Sequence, residues 1–157
     1  YMLPKTYKKY YKTLVDYLLD TYKIGVIEQY NAEDAWYPNL NLIYINKNLK
    51  YRERLFCLLH ESGHAIIDND IRRKNIICFN KNIPHYIRSK KNYVHTLNEE
   101  ILAWNYGKQL MKSLEFKVEE NKLEEYMTDC IMSYIKQGII SLYGKNINAE
   151  SIRIKYV

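Results

Sequence analysis

Phe56–Ile67 reads FCLLHESGHAII, with two histidines four residues apart, a glutamate beside the first, and apolar residues at most other positions. On an α-helix each residue turns about 100°, so His60 and His64 point within roughly 40° of one another, about 6 Å apart along the axis. That spacing lets two imidazoles reach one small cation from the same side. Glu61 projects about 60° from His64 on the same wheel, close enough to touch a metal-bound water without being a ligand. Leu55, Phe56, Leu58, Leu59, Ala65, Ile66 and Ile67 surround this helix on nearly every side, so it is expected to be buried. An unpartnered neutral polar group in such a place costs on the order of 2–7 kcal/mol, and a charge more. A metal ion with its water satisfies His60, Glu61 and His64 together; the bland alternative is a hydrogen-bonded core histidine pair with Glu61 in a salt bridge. Gly63 removes a side chain and lets another element come close.

A catalytic zinc held by two histidines needs a third protein donor and keeps one open position. The candidate lies in HTLNEEILAWNYGKQLM, residues 95–111. Thr96-x-x-Glu99 has the form of a capping box, which would employ Glu99 at a helix start. Glu100 then shares a stripe with Leu97, Ala103, Trp104, Gly107 and Met111, while Asn105, Gln109 and Lys112 lie opposite. A carboxylate on a core-facing stripe calls for a partner. Metal ligation supplies one; an ion pair with Arg52, Arg54 or Arg88 is the ordinary alternative, and Glu99 as the ligand is the nearest competing assignment. Small residues at 103 and 107 favour close packing against the His60 helix.

Outward from these two segments the pattern is mostly helical. Thr6 to Tyr22 places Tyr10, Leu14, Tyr17 and Leu18 on one face, with Gly25 as a stop. GVIEQY (25–30) reads as a short strand, NAEDAWYPN (31–39) as a polar loop, and LNLIYIN (40–46) as a strand in which Leu42 and Tyr44 alternate with Ile43 and Ile45. Residues 69–95 read as an irregular insertion, Thr96 to about Leu114 as a helix, and about Glu119 to Gln137 as another, with Leu123, Tyr126, Met127, Cys130, Ile131 and Tyr134 at core spacing. The tail from Ser141 is ambiguous. The expected fold is α+β: one mostly helical domain over 1–157, with a small sheet beside the paired-histidine helix.

LNLIYINKNLKYRERLFCLLHESGHAII followed by EEILAWNYGKQL resembles the ImmA/IrrE-type zinc metallopeptidases, in which a strand precedes an H-E-x-x-H helix and a downstream E-x-x-A helix adds a ligand. The resemblance covers about Leu40 to Leu114 and implies a zincin-like fold, Zn2+ on His60, His64 and Glu100, and Glu61 as catalytic base, with Ala103 completing E-x-x-A. Ser62 departs from the aliphatic residue usual in the family, and no helix-turn-helix or sensor module like that of its longer members is expected within these 157 residues. The implied activity is hydrolysis of a peptide bond in a protein or peptide substrate, such as a regulatory or host protein. The strand NLIYIN is expected to offer its edge to that peptide. His85, Tyr86, Tyr93 and His95 are candidates to steady the developing oxyanion, and Asp68, one turn past His64, to orient an imidazole.

The chain has 157 residues, a formal charge of +6 and 47% hydrophobic residues, enough for one domain with a core. The abundance of Lys, Asn, Ile and Tyr, with 17 tyrosines against 5 glycines, suggests an AT-rich bacterial, phage or mobile-element genome. The lysines are scattered, and specific nucleic-acid binding is not expected. Cys57, Cys78 and Cys130 form no C-x-x-C pair and read as reduced thiols of a cytoplasmic protein. No apolar run is long enough to span a bilayer, and LVDYLL is followed by no signal cleavage site. The competing function is that of a phage or mobile-element interaction protein that captures a host target. Its zinc would be a structural or relic site, closed by a fourth ligand such as Cys78, His85 or His95.

Overall fold

A computed structural model of the chain describes residues 3–72 and 90–143. Helix α1, Pro4–Tyr17, starts on a proline at its first turn, where a missing N–H costs nothing. Its buried face is Tyr7, Tyr11, Leu14 and Leu18, so the helix is rotated from the expected Tyr10 face. Tyr10 is only half buried, its ring stacked on Phe116 at 4.5 Å. The helix widens into a π-helical turn, Leu18–Tyr22, and stops at Lys23 in the left-handed region (φ 59°). Gly25 is therefore not the stop; it begins strand β1, Gly25–Gln29.

Strand β2, Ala35–Tyr37, falls inside the segment expected to be loop. A central Trp-Tyr pair gives it strand character despite the polar residues around it. Strand β3, Leu42–Asn46, lies between the other two in the order β1-β3-β2, parallel to β1 and antiparallel to β2. This corrects the expectation that β3 offers its edge to a peptide: both of its sides are paired, and the edge strands are β1 and β2. Ile43 and Ile45 point into the core and are fully buried, while Tyr44 meets Tyr37 edge-on on the other face. The alternation is that of a strand covered on one side.

Helix α2, Tyr51–Ile66, carries the paired histidines and is buried along most of its length, with Leu55, Leu58 and Leu59 at 1% exposure or less. Each such leucine contributes roughly 1.5–3 kcal/mol through burial. Arg54 ties the start of α2 to the sheet through Glu28 at 3.1 Å and the carbonyls of Leu49 and Lys47. A second π-helical turn, Ile67–Arg72, continues α2. Helix α3 runs Lys90–Ser113 and helix α4 Glu120–Tyr143, so α3 begins six residues before the expected Thr96 and α4 extends six beyond Gln137. Thr96 consequently lies mid-helix, its hydroxyl donating to the Asn92 carbonyl, and caps nothing. The expected capping box is not formed.

Two glycines set the spacing of α2 and α3. A Cβ on Gly63 would overlap the Ala103 carbonyl, standing 2.6 Å from its carbon, and one on Gly107 would stand 2.9 Å from the Leu59 carbonyl carbon. The helices thus touch backbone to backbone at both points, as the small residues at 63, 103 and 107 suggested. Helix α4 closes the core with Leu123 and with Tyr126, whose hydroxyl is 3.0 Å from Cys57 Sγ and whose ring meets Phe56 and Trp104 edge-on. Among the described residues no helix is long and apolar enough to cross a membrane.

Candidate metal centre

The close approach of α2 and α3 brings His60 and His64 opposite Glu100. His60 Nε2 lies 3.0 Å from Glu100 Oε2, His64 Nε2 lies 3.6 Å from the same oxygen, and the two Nε2 atoms are 3.2 Å apart. An ion held tetrahedrally at 2.0–2.1 Å from each donor needs donor separations of about 3.3 Å. The three atoms have that spacing before any ion is added. His60 and Glu100 are 8% and 7% exposed, in keeping with the burial expected from the sequence. Glu100 Oε2 makes no hydrogen bond with the described residues although it is buried. A buried carboxylate oxygen facing two imidazole nitrogens without hydrogen-bond geometry fits a cation between them. This buried His-His-Glu group is able to hold a metal ion, and among the described residues no fourth His, Cys, Asp or Glu joins it.

Electrostatics agree with that arrangement. Burial pushes the Glu100 carboxyl up, but the two histidines beside it outweigh burial and hold it down at about 2. For His64, burial opposes protonation, and Glu100, Glu61 and Glu99 together raise its pKa above the ordinary value. Burial raises Glu61, with His64 and His60 opposing.

Glu61 stands just outside the triad, its Oε1 4.0 Å from His60 Nε2, and the backbone of Trp36 on β2 is near enough to favour its charged form. Ser62 is fully buried and donates to the Leu58 carbonyl of its own helix, so the departure from an aliphatic residue leaves no polar atom stranded. The ion-pair alternative for Glu100 is not realised by the described arginines. Arg52 pairs with Glu53 at 2.8 Å and Arg54 with Glu28; Arg88 lies outside the described residues. Glu99, the competing ligand, is 4.0 Å from His64 Nδ1 and not in the triad.

An open cavity of about 290 Å³ adjoins the triad, lined by Asp34, Ala35, Trp36 and Pro38 from the β2 side, by Glu61, His64 and Asp68 from α2 and its π turn, by Glu99 from α3 and by Tyr134 from α4. Asp68 accepts the Trp36 indole N–H at 2.7 Å, so its carboxylate braces the edge strand. Of the proposed oxyanion donors, Tyr93 donates instead to the Tyr134 carbonyl at 3.0 Å. Neither Tyr93 nor His95 lines the cavity, and His85 and Tyr86, like Cys78, lie outside the described residues. The sequence reading missed Trp36 and Tyr134. Tyr134 falls on the apolar stripe of α4 and carried no signal beyond a phenol's polar tip. Its hydroxyl interacts with Glu100, and burial, with Glu100 and Glu61 adding to it, raises its pKa.

No protein-family model, curated protein or solved structure matches the chain.

Proposed function

We propose that the chain is a zinc-dependent metallopeptidase of the ImmA/IrrE type that hydrolyses a peptide bond in a regulatory or host protein. The observation that carries this reading is the position of Glu61. It is buried, stands beside the triad without belonging to it, and lines the same cavity as His64. A purely structural metal site has no use for a second carboxylate so placed.

His60, His64 and Glu100 would hold the ion, and zinc in such a site supplies Lewis acidity and lowers the pKa of a water to about 7. Glu61 takes the proton of the attacking water and returns it to the leaving amine. The outer edge of β2, rather than β3, presents backbone beside the cavity for an extended peptide. Trp36, anchored to Asp68, keeps that edge in place.

The test combines elemental mass spectrometry of the purified protein with cleavage of fluorescein-labelled casein by wild type and Glu61→Gln. The expected result is about one zinc per chain in both proteins, with proteolysis lowered at least about 10²-fold in the variant. Equal proteolysis by the two proteins would overturn the mechanism. Equal zinc with no proteolysis in either, together with capture of a host protein, would favour the interaction-protein alternative.

A further inference from the structure

We propose that Tyr134 is a catalytic residue of the peptidase reading given above, on which this inference rests. Its phenolic O–H donates to the carbonyl oxygen of the scissile peptide as that oxygen gains charge.

Among the described residues that line the cavity, few side chains are able to do this. Asp34, Glu61, Asp68 and Glu99 are carboxylates, which accept when ionised, and Ala35 and Pro38 have no polar side-chain atom. The Trp36 indole N–H is committed to Asp68, and His64 belongs to the triad. Among the nine described lining residues, Tyr134 brings the one side-chain O–H, which faces the Glu100 carboxylate in this structure and would have to turn from it to a bound carbonyl. The hydroxyl leans on Glu100, which places it beside the carboxylate that faces both histidines.

The backbone under Tyr134 is fixed from outside the cavity. Tyr93 of α3 donates to the Tyr134 carbonyl, and its ring lies against Gly138, where any Cβ would overlap it. One turn of α4 is thereby clamped to α3, the helix that carries Glu100. Glu61 is carried by α2 and Tyr134 by α4, and both line the cavity, so base and donor reach a bound carbonyl from different elements.

The step balances without a further reagent. The oxygen of water adds to the carbonyl carbon, its proton passes to Glu61, and the C=O π pair moves onto the carbonyl oxygen, to which Tyr134 shares its hydrogen without losing it. The pair then returns, the C–N bond breaks, and Glu61 delivers the proton to the amine.

The test needs no substrate. Inorganic phosphate, a tetrahedral oxyanion, is titrated calorimetrically into the zinc-loaded full chain and its Tyr134→Phe variant, and zinc affinity is measured by competition with a chelator. Phosphate affinity is expected to fall about 10- to 100-fold in Tyr134→Phe, the loss of one charge-assisted hydrogen bond, with zinc affinity unchanged. Equal phosphate affinity in the two proteins, or no phosphate binding by the zinc-loaded wild type, would overturn the proposal and leave the peptidase reading standing. A parallel fall in zinc affinity would overturn it too, by making Tyr134 a residue that merely positions Glu100. Failure of the wild type to bind zinc would instead remove the peptidase reading, and this inference with it. On any cleaved substrate the variant should lose kcat by about 10²-fold with KM unchanged.

Discussion

Gly63 lies directly against the carbonyl of Ala103, and one turn along, Gly107 lies against that of Leu59. This reciprocal contact sets how near Glu100 comes to His60, and therefore whether the three donor atoms converge. Backbone cannot give way as a side-chain tip can. Gly63→Ala and Gly107→Ala are each expected to cost about 1–3 kcal/mol or more through overpacking, and to weaken zinc binding as the helices are pushed apart. Gly25→Ala is the control, since its Cβ would meet only the end of the Leu42 side chain, at 2.6 Å; it should cost less. Urea unfolding with chelator competition measures both effects.

Glu100 and Glu99 are neighbours with separate roles. Glu100 Oε2 is 3.0 Å from His60 Nε2, whereas Glu99 sits 4.0 Å from His64 Nδ1, on the far side of that ring. Glu100→Ala should therefore release the metal as completely as His60→Ala/His64→Ala does. Glu99→Ala should keep about one ion per chain, with affinity lowered at most 10- to 100-fold through loss of ring orientation. Elemental analysis after dialysis decides this; metal retained by Glu100→Ala would contradict the assignment.

Trp36 joins the edge strand to the turn that follows the histidine helix. Replacing it by phenylalanine removes the donor to Asp68 at 2.7 Å and leaves that carboxylate short of a partner it now has. A loss of about 1–3 kcal/mol in stability is expected, with zinc content unchanged because no ligand is touched. Chemical denaturation alongside metal analysis tests it, and a loss of zinc would show that β2 shapes the triad itself.

Burial raises the acid groups of the aromatic core. Cys57, Tyr11 and Tyr126 are shifted upward, and Cys130 is pushed up to about 11. In the unfolded chain thiols titrate near 8.5 and phenols near 10. Between the two values the unfolded state binds fewer protons, so stability falls as pH rises. The stabilisation is complete below about pH 8 and is lost progressively above about pH 9. The slope is up to about 1.4 kcal/mol per pH unit for a fully buried group, and less for half-buried Cys130. Thermal melts of the metal-free protein from pH 7 to 11 should show the decline; a flat profile would contradict it.

The candidate metal site was legible because helical periodicity is local. A four-residue interval puts His60 and His64 on one side of any helix, and the apolar residues around them require burial whatever the rest of the chain does. The same logic drew Glu100 onto a core-facing stripe, and the small residues at 63, 103 and 107 already implied a close helix pair. Where local rules compete, the sequence was a poorer guide. Thr96-x-x-Glu99 has the form of a cap, yet α3 begins at Lys90, since packing along a longer helix outweighs one capping interaction of about 1 kcal/mol.

The sequence by itself determined the helix-rich fold and the burial of the histidine helix, and it marked His60, His64 and Glu100 as candidates for one shared site. Only the tertiary structure decided that β3 is the central strand and β2 an edge, that Asp68 serves Trp36, and that Tyr134, seventy residues beyond His64, shares a cavity with Glu61. The physical reason is that spacing along one helix is set by backbone geometry within a few residues. Strand order and the approach of α4 depend instead on which apolar faces meet across the whole chain, and the sequence encodes that only in the sum of many weak contacts.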